Sequence, residues 1–200
     1  MVAVGAVQES QEGAMRIVAG KHKGTALATP AAGSLSIRPT SDRLRESVFN
    51  ILEHAYEGVF EDARVMDIFA GTGALGFEAM SRGAKTCLFV EEAAEARGLI
   101  RRNQEALGLM GTTRIFRRDA TTMGSIGPAE PYTLAFLDPP YGKALAEKAL
   151  ASLLAGGWLA DKTLLVIEES AKVNVALPEG LEQLDQRIYG ETQVIFARRI

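Results

Sequence analysis

Cysteine and histidine are scarce in this chain of 200 residues. The single cysteine, Cys87, excludes an internal disulfide framework and predicts a reducing compartment. It stands in the apolar run 87–90, which favours a buried structural thiol over a nucleophile. The two histidines, His22 and His54, form no metal-ligand spacing with Cys87, so we expect no bound metal.

Long hydrophobic runs are lacking as well. No apolar stretch approaches the ~20 residues of a transmembrane helix, so we expect no membrane association. Residues 1–14 have no basic segment and too short an apolar core for a secretory signal, and they are predicted to be a disordered leader. These absences together predict a cytoplasmic protein.

Positive charge is not in excess, since the net charge is −3. That value argues against a dedicated nucleic-acid-binding protein. The distribution is uneven, because residues 15–45 contain six basic side chains and one acidic side chain, Asp42. We therefore predict a basic arm with a hairpin at residues 15–40, followed by an acidic domain at residues 41–200.

What the chain does contain is a regular alternation of strand and helix patterns from residue 64 onward. Such alternation is typical of parallel βαβ units in a doubly wound α/β sheet. The last two strand-like segments are separated only by a short turn around Gly190, which predicts an antiparallel pair. The predicted strands span residues 64–70, 86–92, 113–119, 132–138, 163–170, 184–190 and 192–199.

A glycine-rich turn follows the first predicted strand. Gly71, Gly73 and Gly76 form a G-x-G-x-x-G pattern, which lets a ligand approach the backbone at a helix N-terminus. Dinucleotide-binding and S-adenosylmethionine-binding proteins share this pattern, and a purely structural turn is a further alternative. Asp67 favours S-adenosylmethionine, because a carboxylate attracts its ammonium group and repels a pyrophosphate.

Two more acids end the second and third predicted strands. Glu91 is placed to bind the hydroxyls of a ribose, whereas the neighbouring Glu92 fits a solvated position at a helix start. Asp119 can accept a hydrogen bond from an adenine amino group or can simply cap the following turn. Because the carboxyl ends of parallel strands share one edge, we predict a site for an adenosyl ligand there.

The segment LDPPYGK, residues 137–143, ends the fourth predicted strand at the same edge. An exocyclic amine of a nucleobase is a poor nucleophile because its lone pair is delocalised into the ring. The Asp138 carboxylate and the Pro139 carbonyl can accept hydrogen bonds from such an amine, with the carbonyl held rigidly by the prolines. Tyr141 offers an aromatic face on which an extruded base can stack.

Four segments together carry a resemblance to a known family. They are MRIVAGKHKG, RPTSDRLRESVFNIL, DIFAGTGALGFEAMSRGA and LDPPY. In this combination the chain, from residue 15 to about residue 142, resembles the RsmD-type 16S rRNA (guanine-N2) methyltransferases. The resemblance implies a Rossmann-like class I methyltransferase with a seven-stranded, mostly parallel sheet, an antiparallel C-terminal strand and a small N-terminal hairpin arm.

The resemblance also implies partners and roles. The donor is S-adenosylmethionine, and the substrate is 16S rRNA in the small ribosomal subunit or its assembly intermediate, modified by a monomer without a metal. By motif position, the cofactor-binding residues are Asp67, Ala70, Gly71, Thr72, Gly73, Glu91, Asp119 and Ala120. The residues that position the guanine are Asp138, Pro139, Pro140 and Tyr141. The residues that contact RNA phosphates are Arg16, Lys21, Lys23, Arg38, Arg43 and Arg45.

Three other functions compete with this hypothesis. An amino-methyltransferase acting on adenine N6 or on a protein glutamine would use the same DPPY segment, although the basic arm disfavours glutamine. A nicotinamide dehydrogenase would use the glycine turn but would leave Asp67 and DPPY unexplained. A non-catalytic RNA-binding module would explain neither the acidic body nor the predicted cofactor residues.

Overall fold

The computed structural model describes residues 15–30 and 42–200. Within these residues the chain forms seven strands, four α-helices and one 3-10 turn at Ala120–Thr122. The strands are β1 (Arg64–Ile68), β2 (Thr86–Val90), β3 (Thr113–Phe116), β4 (Tyr132–Leu137), β5 (Leu159–Ser170), β6 (Leu181–Tyr189) and β7 (Thr192–Arg199). The helices are α1 (Asp42–Ala55), α2 (Ala74–Ser81), α3 (Ala94–Leu107) and α4 (Leu145–Ala155).

All seven strands belong to one sheet in the order β3-β2-β1-β4-β5-β7-β6. Strands β1 to β5 run parallel, and β7 is antiparallel to both of its neighbours, β5 and β6. The order reverses direction between β1 and β4, which is where doubly wound sheets open a crevice for ligands. The predicted fold class is therefore confirmed, including the antiparallel C-terminal strand.

Both faces of the sheet are covered, which explains why its central strands read as nearly continuous apolar runs. Alternate residues of β1 enter opposite cores: Val65 packs on the side of α1, α2 and α3, whereas Met66 packs on the side of α4. Cys87 is buried in the first of these cores, and burial raises the pKa of its thiol well above the usual value. This environment agrees with a structural thiol.

The basic arm is docked onto the body of the protein. Residues 15–30 form a hairpin-like loop closed by one antiparallel bridge between Arg16 and Ala26. The fully buried Glu78 of α2 accepts the backbone amides of Val18 at 2.8 Å and Ala19 at 3.0 Å. Met15, Ile17 and Leu27 of the arm enter the same apolar core as α1 and α2. A carboxylate in the middle of the second predicted helix thus anchors the arm, a role that the sequence pattern did not indicate.

Some expectations fall outside the described residues. The predicted leader, residues 1–14, and the candidate RNA contact Arg38 are among them. Within residues 15–30 and 42–200, no helix is long and apolar enough to cross a membrane. The same two ranges contain no group of three acidic, histidine or cysteine side chains arranged to hold a metal ion.

Candidate active site

A cavity of about 1110 Å³ opens at the carboxyl edge of the sheet, beside the crevice between β1 and β4. Single small-molecule sites usually occupy roughly 300–1,000 Å³, so this volume can hold a cofactor together with part of a second reactant. Every predicted cofactor and acceptor residue except Gly73 lines it. They are Asp67, Ala70, Gly71, Thr72, Glu91, Asp119, Ala120, Asp138, Pro139, Pro140 and Tyr141.

The glycine turn explains the exception. Gly71 and Gly73 adopt the left-handed conformation, with φ of 55° and 79°. A Cβ on Gly73 would lie 2.7 Å from the Phe77 ring and 3.0 Å from the Phe89 ring. Glycine is therefore required at position 73 by the packing beneath the turn, while Gly71 faces the cavity.

Asp67 lies at the floor of the cavity, only 2% exposed. Its Oδ2 accepts the backbone amide of Gly76 at 2.9 Å and so ties β1 to the first turn of α2. Burial raises the pKa of this carboxyl well above its usual value; the Gly76 hydrogen bond opposes the shift, and the charges of Asp138 and Glu91 add to it. A cation in the cavity would relieve this unfavourable burial, which fits the predicted role of binding an ammonium group.

Glu91 connects the glycine turn to the loop before α3. Both lie in the part of the cavity that also contains Asp67 and Asp119, called the cofactor half below. Glu91 Oε2 accepts the amide of Gly71 at 2.9 Å, and its Oε1 accepts the amide of Ala93 at 2.7 Å. These bonds hold the glycine turn against the start of α3 and fix the carboxylate at the cavity wall. Each carboxylate oxygen can accept a second hydrogen bond, so the predicted contact with the ribose hydroxyls stays a prediction.

Asp119 has the capping role that was one of the two alternatives for its position in the sequence. Its Oδ1 accepts the backbone amide of Thr121 at 2.8 Å and the Thr121 hydroxyl at 2.7 Å, and so it caps the 3-10 turn. These hydrogen bonds lower the pKa of the carboxyl, which is exposed and ionised. Because Asp119 also lines the cavity beside the buried Ala120, the cap presents a carboxylate to the ligand site.

The DPPY segment lines the other part of the cavity, called the acceptor half below. Asp138 follows β4 directly and is half-buried, and Pro139 is buried behind it. The Tyr141 hydroxyl donates to Glu168 Oε1 at 2.5 Å and lies 3.2 Å from Thr192 Oγ1. Burial, reinforced by the hydrogen bond to Glu168, raises the pKa of Tyr141, so the phenol remains protonated.

Two lining residues that contact the Tyr141 hydroxyl were missed in the sequence, Glu168 of β5 and Thr192 of β7. Glu168 could have been found, because the fifth predicted strand also ends in acids at the ligand edge. Thr192 could not have been found, because it stands at the amino end of its strand, whereas the rule for parallel sheets points to residues at the carboxyl ends. Only the antiparallel register of β7 against β5, in which Thr192 pairs with Ser170, brings it to the ligand edge.

Arg45 corrects one predicted RNA contact. The side chain is fully buried, where its Nη2 donates to Asp42 Oδ1 at 2.9 Å and to the carbonyl of Arg16 at 2.5 Å. Its Nε lies 3.8 Å from Glu78 Oε2. Arg45 thus joins α1, α2 and the arm inside the protein and is not placed to contact a phosphate. It sits on the apolar face of α1, beside Val48 and Phe49, which accounts for the burial.

The other described basic candidates are exposed but lie in different places. Arg43 is in the first turn of α1, next to Leu44, which lines the cavity. Lys21 and Lys23 lie where the arm meets the far end of α2, since the Lys21 amide donates to the Ser81 carbonyl at 2.7 Å. The eight-residue α2 separates that end from the glycine turn by about 12 Å. Arg16 donates to the Gly24 carbonyl within the arm.

The strand order, with β7 antiparallel between β5 and β6, is the Rossmann-like fold expected of a class I methyltransferase. The chain belongs to the family described as Conserved hypothetical protein 95, whose model matches residues 15–198. Membership confirms the predicted family, and the fold together with the named relatives confirms the predicted class of methyltransferase.

Named relatives and a solved structure agree with that assignment. The chain is 36% identical over 164 residues to Ribosomal RNA small subunit methyltransferase D of Escherichia coli, covering 82% of this chain and 78% of that protein. It is 33% identical over 190 residues to YlbH of Bacillus subtilis, covering 92% and 99%. The solved structure of yhhF from Escherichia coli superposes with a TM-score of 0.78 at 29% identity, covering 94% and 98%.

Proposed function

We propose that the protein transfers a methyl group from S-adenosylmethionine to the exocyclic N2 amine of a specific guanine in 16S rRNA. The observation that carries this proposal is that one cavity is lined both by Asp138 and Pro139 and by the carboxylates beside the glycine turn. The name of the Escherichia coli relative supports the small-subunit rRNA as substrate. A ribosomal substrate implies action in the cytoplasm, and we propose that the enzyme acts as a monomer.

The cofactor half holds the donor by three carboxylates. Asp67 binds the ammonium group, Glu91 binds the ribose hydroxyls, and Asp119 with Ala120 binds the adenine. When bound, S-adenosylmethionine supplies a methyl group already activated for direct in-line transfer, so no covalent enzyme intermediate is required. Burial and, to a smaller extent, the charges of Asp138 and Glu91 raise the pKa of Asp67, and both effects favour a cationic ligand in this half.

The acceptor half prepares the amine. The guanine leaves its stack and lies on the Tyr141 ring, a contact worth about 1–3 kcal/mol for a base on an aromatic side chain. The Asp138 carboxylate and the Pro139 carbonyl accept hydrogen bonds from the two N2–H groups, which draws the nitrogen toward a tetrahedral, nucleophilic geometry. As the nitrogen takes the methyl group and the carbon–sulfur bond of the donor breaks, the proton that N2 loses passes to Asp138 or to water. The backbone amide of Asp138 donates to the Ile68 carbonyl at 3.4 Å and ties the segment to β1.

The test is methyl transfer from labelled S-adenosylmethionine to small ribosomal subunits that lack this modification, followed by mapping of the modified nucleotide. We expect label on the N2 of one guanine. Asp138→Ala, assayed in parallel, should give no label while still binding the cofactor. Label on adenine N6, or on a protein glutamine, would replace the guanine assignment and keep the fold and donor.

A further inference from the structure

A buried carboxylate next to Tyr141 has no part in the function proposed above. Glu168 lies in β5, is 8% exposed and lines the cavity. It accepts the Tyr141 hydroxyl at 2.5 Å, and Thr192 Oγ1 of β7 lies 3.2 Å from the same hydroxyl. The Tyr141 hydroxyl is therefore held by two neighbouring strands. Its partners, Glu168 and Thr192, lie 27 and 51 positions later in the chain.

The same strand also holds the backbone of the DPPY segment. Glu169 is 1% exposed, and its Oε1 accepts the amide of Gly142 at 3.0 Å. Two consecutive acids of β5 thus fix the segment, one through its aromatic side chain and the other through its main chain. A loop fixed at both points holds Tyr141, which lines the cavity, in one orientation.

A fixed ring has a physical advantage for an incoming base. A tyrosine side chain rotates about two bonds, and a tether on its hydroxyl removes that freedom before the substrate arrives. Stacking on a preset plane costs less entropy and places the reacting amine more reproducibly. The raised pKa of Tyr141 keeps the phenol a hydrogen-bond donor, so the tether persists across the neutral pH range.

We propose that Glu168 is a positioning residue for the acceptor base, acting through the Tyr141 hydroxyl and not by contact with the base. This inference rests on the proposed stacking role of Tyr141. It predicts that removing the carboxylate and removing the hydroxyl have the same consequence. It also predicts that either change lowers the rate of methyl transfer and leaves cofactor binding unchanged, since Glu168 lies in the acceptor half.

The first experiment needs no RNA. In the NMR spectrum of the cofactor-bound protein, we expect a slowly exchanging phenolic hydroxyl proton that disappears in Tyr141→Phe. It should also be lost in Glu168→Ala and kept in Glu168→Gln, because the amide oxygen can still accept the bond. A wild-type spectrum without this proton, or its persistence in Glu168→Ala, would overturn the tether whatever the acceptor proves to be.

The second experiment is a double-mutant cycle on methyl transfer, with label measured on whichever base of the small subunit accepts it. Tyr141→Phe and Glu168→Ala should each lower kcat about 10-fold, the usual effect of one lost hydrogen bond, with the KM for S-adenosylmethionine unchanged. The double variant should also be about 10-fold slower, whereas independent roles would give about 100-fold. Glu168→Gln should recover most of the activity.

Matched controls separate this role from general damage. Tyr132→Phe removes a hydroxyl at the opposite end of β4, and Glu182→Ala removes an exposed carboxylate of β6. Both should match the wild type. Additive losses in the cycle, or a Glu168→Gln variant as slow as Glu168→Ala, would overturn the positioning role. Label on a base other than guanine, with a non-additive cycle, would instead overturn the proposed substrate and keep this inference.

Discussion

In the cofactor half of the cavity, carboxylates accept hydrogen bonds from backbone amides that are close in sequence. In the acceptor half, the Tyr141 side chain is held by side chains that are distant in sequence. Asp67 and Glu91 reach their amide partners across 9 and 20 positions, and Glu91 also binds an amide only 2 positions away. Tyr141 reaches its partners across 27 and 51 positions. The first half is built within two βαβ units, and the second requires the closing strands of the sheet.

This difference fits the two tasks. A small cofactor has one shape, and a site assembled from main-chain amides and fixed acids can be ready before it binds. In the proposed reaction a nucleobase arrives attached to a large RNA and must be placed for chemistry, and the residues proposed to orient it are braced by the sheet itself. Variants in the two halves should therefore fail differently, the first in cofactor affinity and the second in transfer rate.

The largest effect is expected at Asp138. Asp138→Ala removes one of the two acceptors for the reacting amine and should lower kcat by at least about 10²–10³-fold, the usual range for one electrostatic group of a reaction centre. The dissociation constant for S-adenosylmethionine, measured by calorimetry, should change less than about 2-fold. Asp119→Ala is the matched control, because it should weaken cofactor binding and preserve kcat at saturation. Simultaneous loss of kcat and cofactor binding in Asp138→Ala would assign Asp138 a structural role.

The next largest effect is expected at Glu91. Glu91→Ala removes the grip on the ribose and both amide bonds, and should weaken S-adenosylmethionine binding about 10–100-fold, the worth of hydrogen bonds to a charged group. Glu91→Gln keeps one acceptor oxygen, so its affinity for S-adenosylmethionine should lie between that of Glu91→Ala and that of the wild type. The KM for the RNA substrate should stay unchanged in both. An unaltered cofactor affinity in Glu91→Ala would show that the site is held by the backbone alone.

Much of the cofactor half could be predicted from the sequence, because its contacts join residues that are close in sequence. A glycine turn, an acid ahead of it and acids at two further strand ends are local patterns, and the rule for parallel sheets places them at one edge. The bracing of Tyr141 could not be predicted, since the pairing of Ser170 with Thr192 exists only once β7 has joined the sheet. The burial of Arg45 was equally hidden, because its partner Glu78 lies in another helix.

A moderate effect that depends on pH is expected at Asp67. Burial raises the pKa of this carboxyl in the folded protein above its ordinary value of 3.8. The folded state therefore holds the proton more tightly than the unfolded chain, and stability is lost as the pH rises through the folded pKa. Asp67→Asn cannot ionise and still offers an oxygen to the Gly76 amide. Its free energy of unfolding, relative to that of the wild type, should increase from about pH 4 upward in the absence of cofactor.

The same variant should bind S-adenosylmethionine about 10-fold more weakly at neutral pH, because the ammonium group loses its ionised partner. Denaturant titrations between about pH 4 and pH 8 measure the first quantity, and calorimetry at neutral pH measures the second. A stability difference that does not vary with pH would contradict the raised pKa. Unchanged cofactor affinity would move the ammonium contact away from Asp67.

The smallest effect is expected on the surface, where the two halves also differ. Arg43 is exposed in the first turn of α1, next to Leu44, which lines the cavity, and Phe49 of the same helix packs on Phe136 of β4 with ring centroids 5.4 Å apart. Lys23 lies on the arm, at the far end of α2. If the RNA enters from the acceptor side, Arg43→Ala should weaken RNA binding a few-fold and lower the salt slope by about 0.7–0.9, the value of one phosphate contact. Lys23→Ala should change the slope less, and an equal or larger change there would place the RNA along the arm and α2 instead.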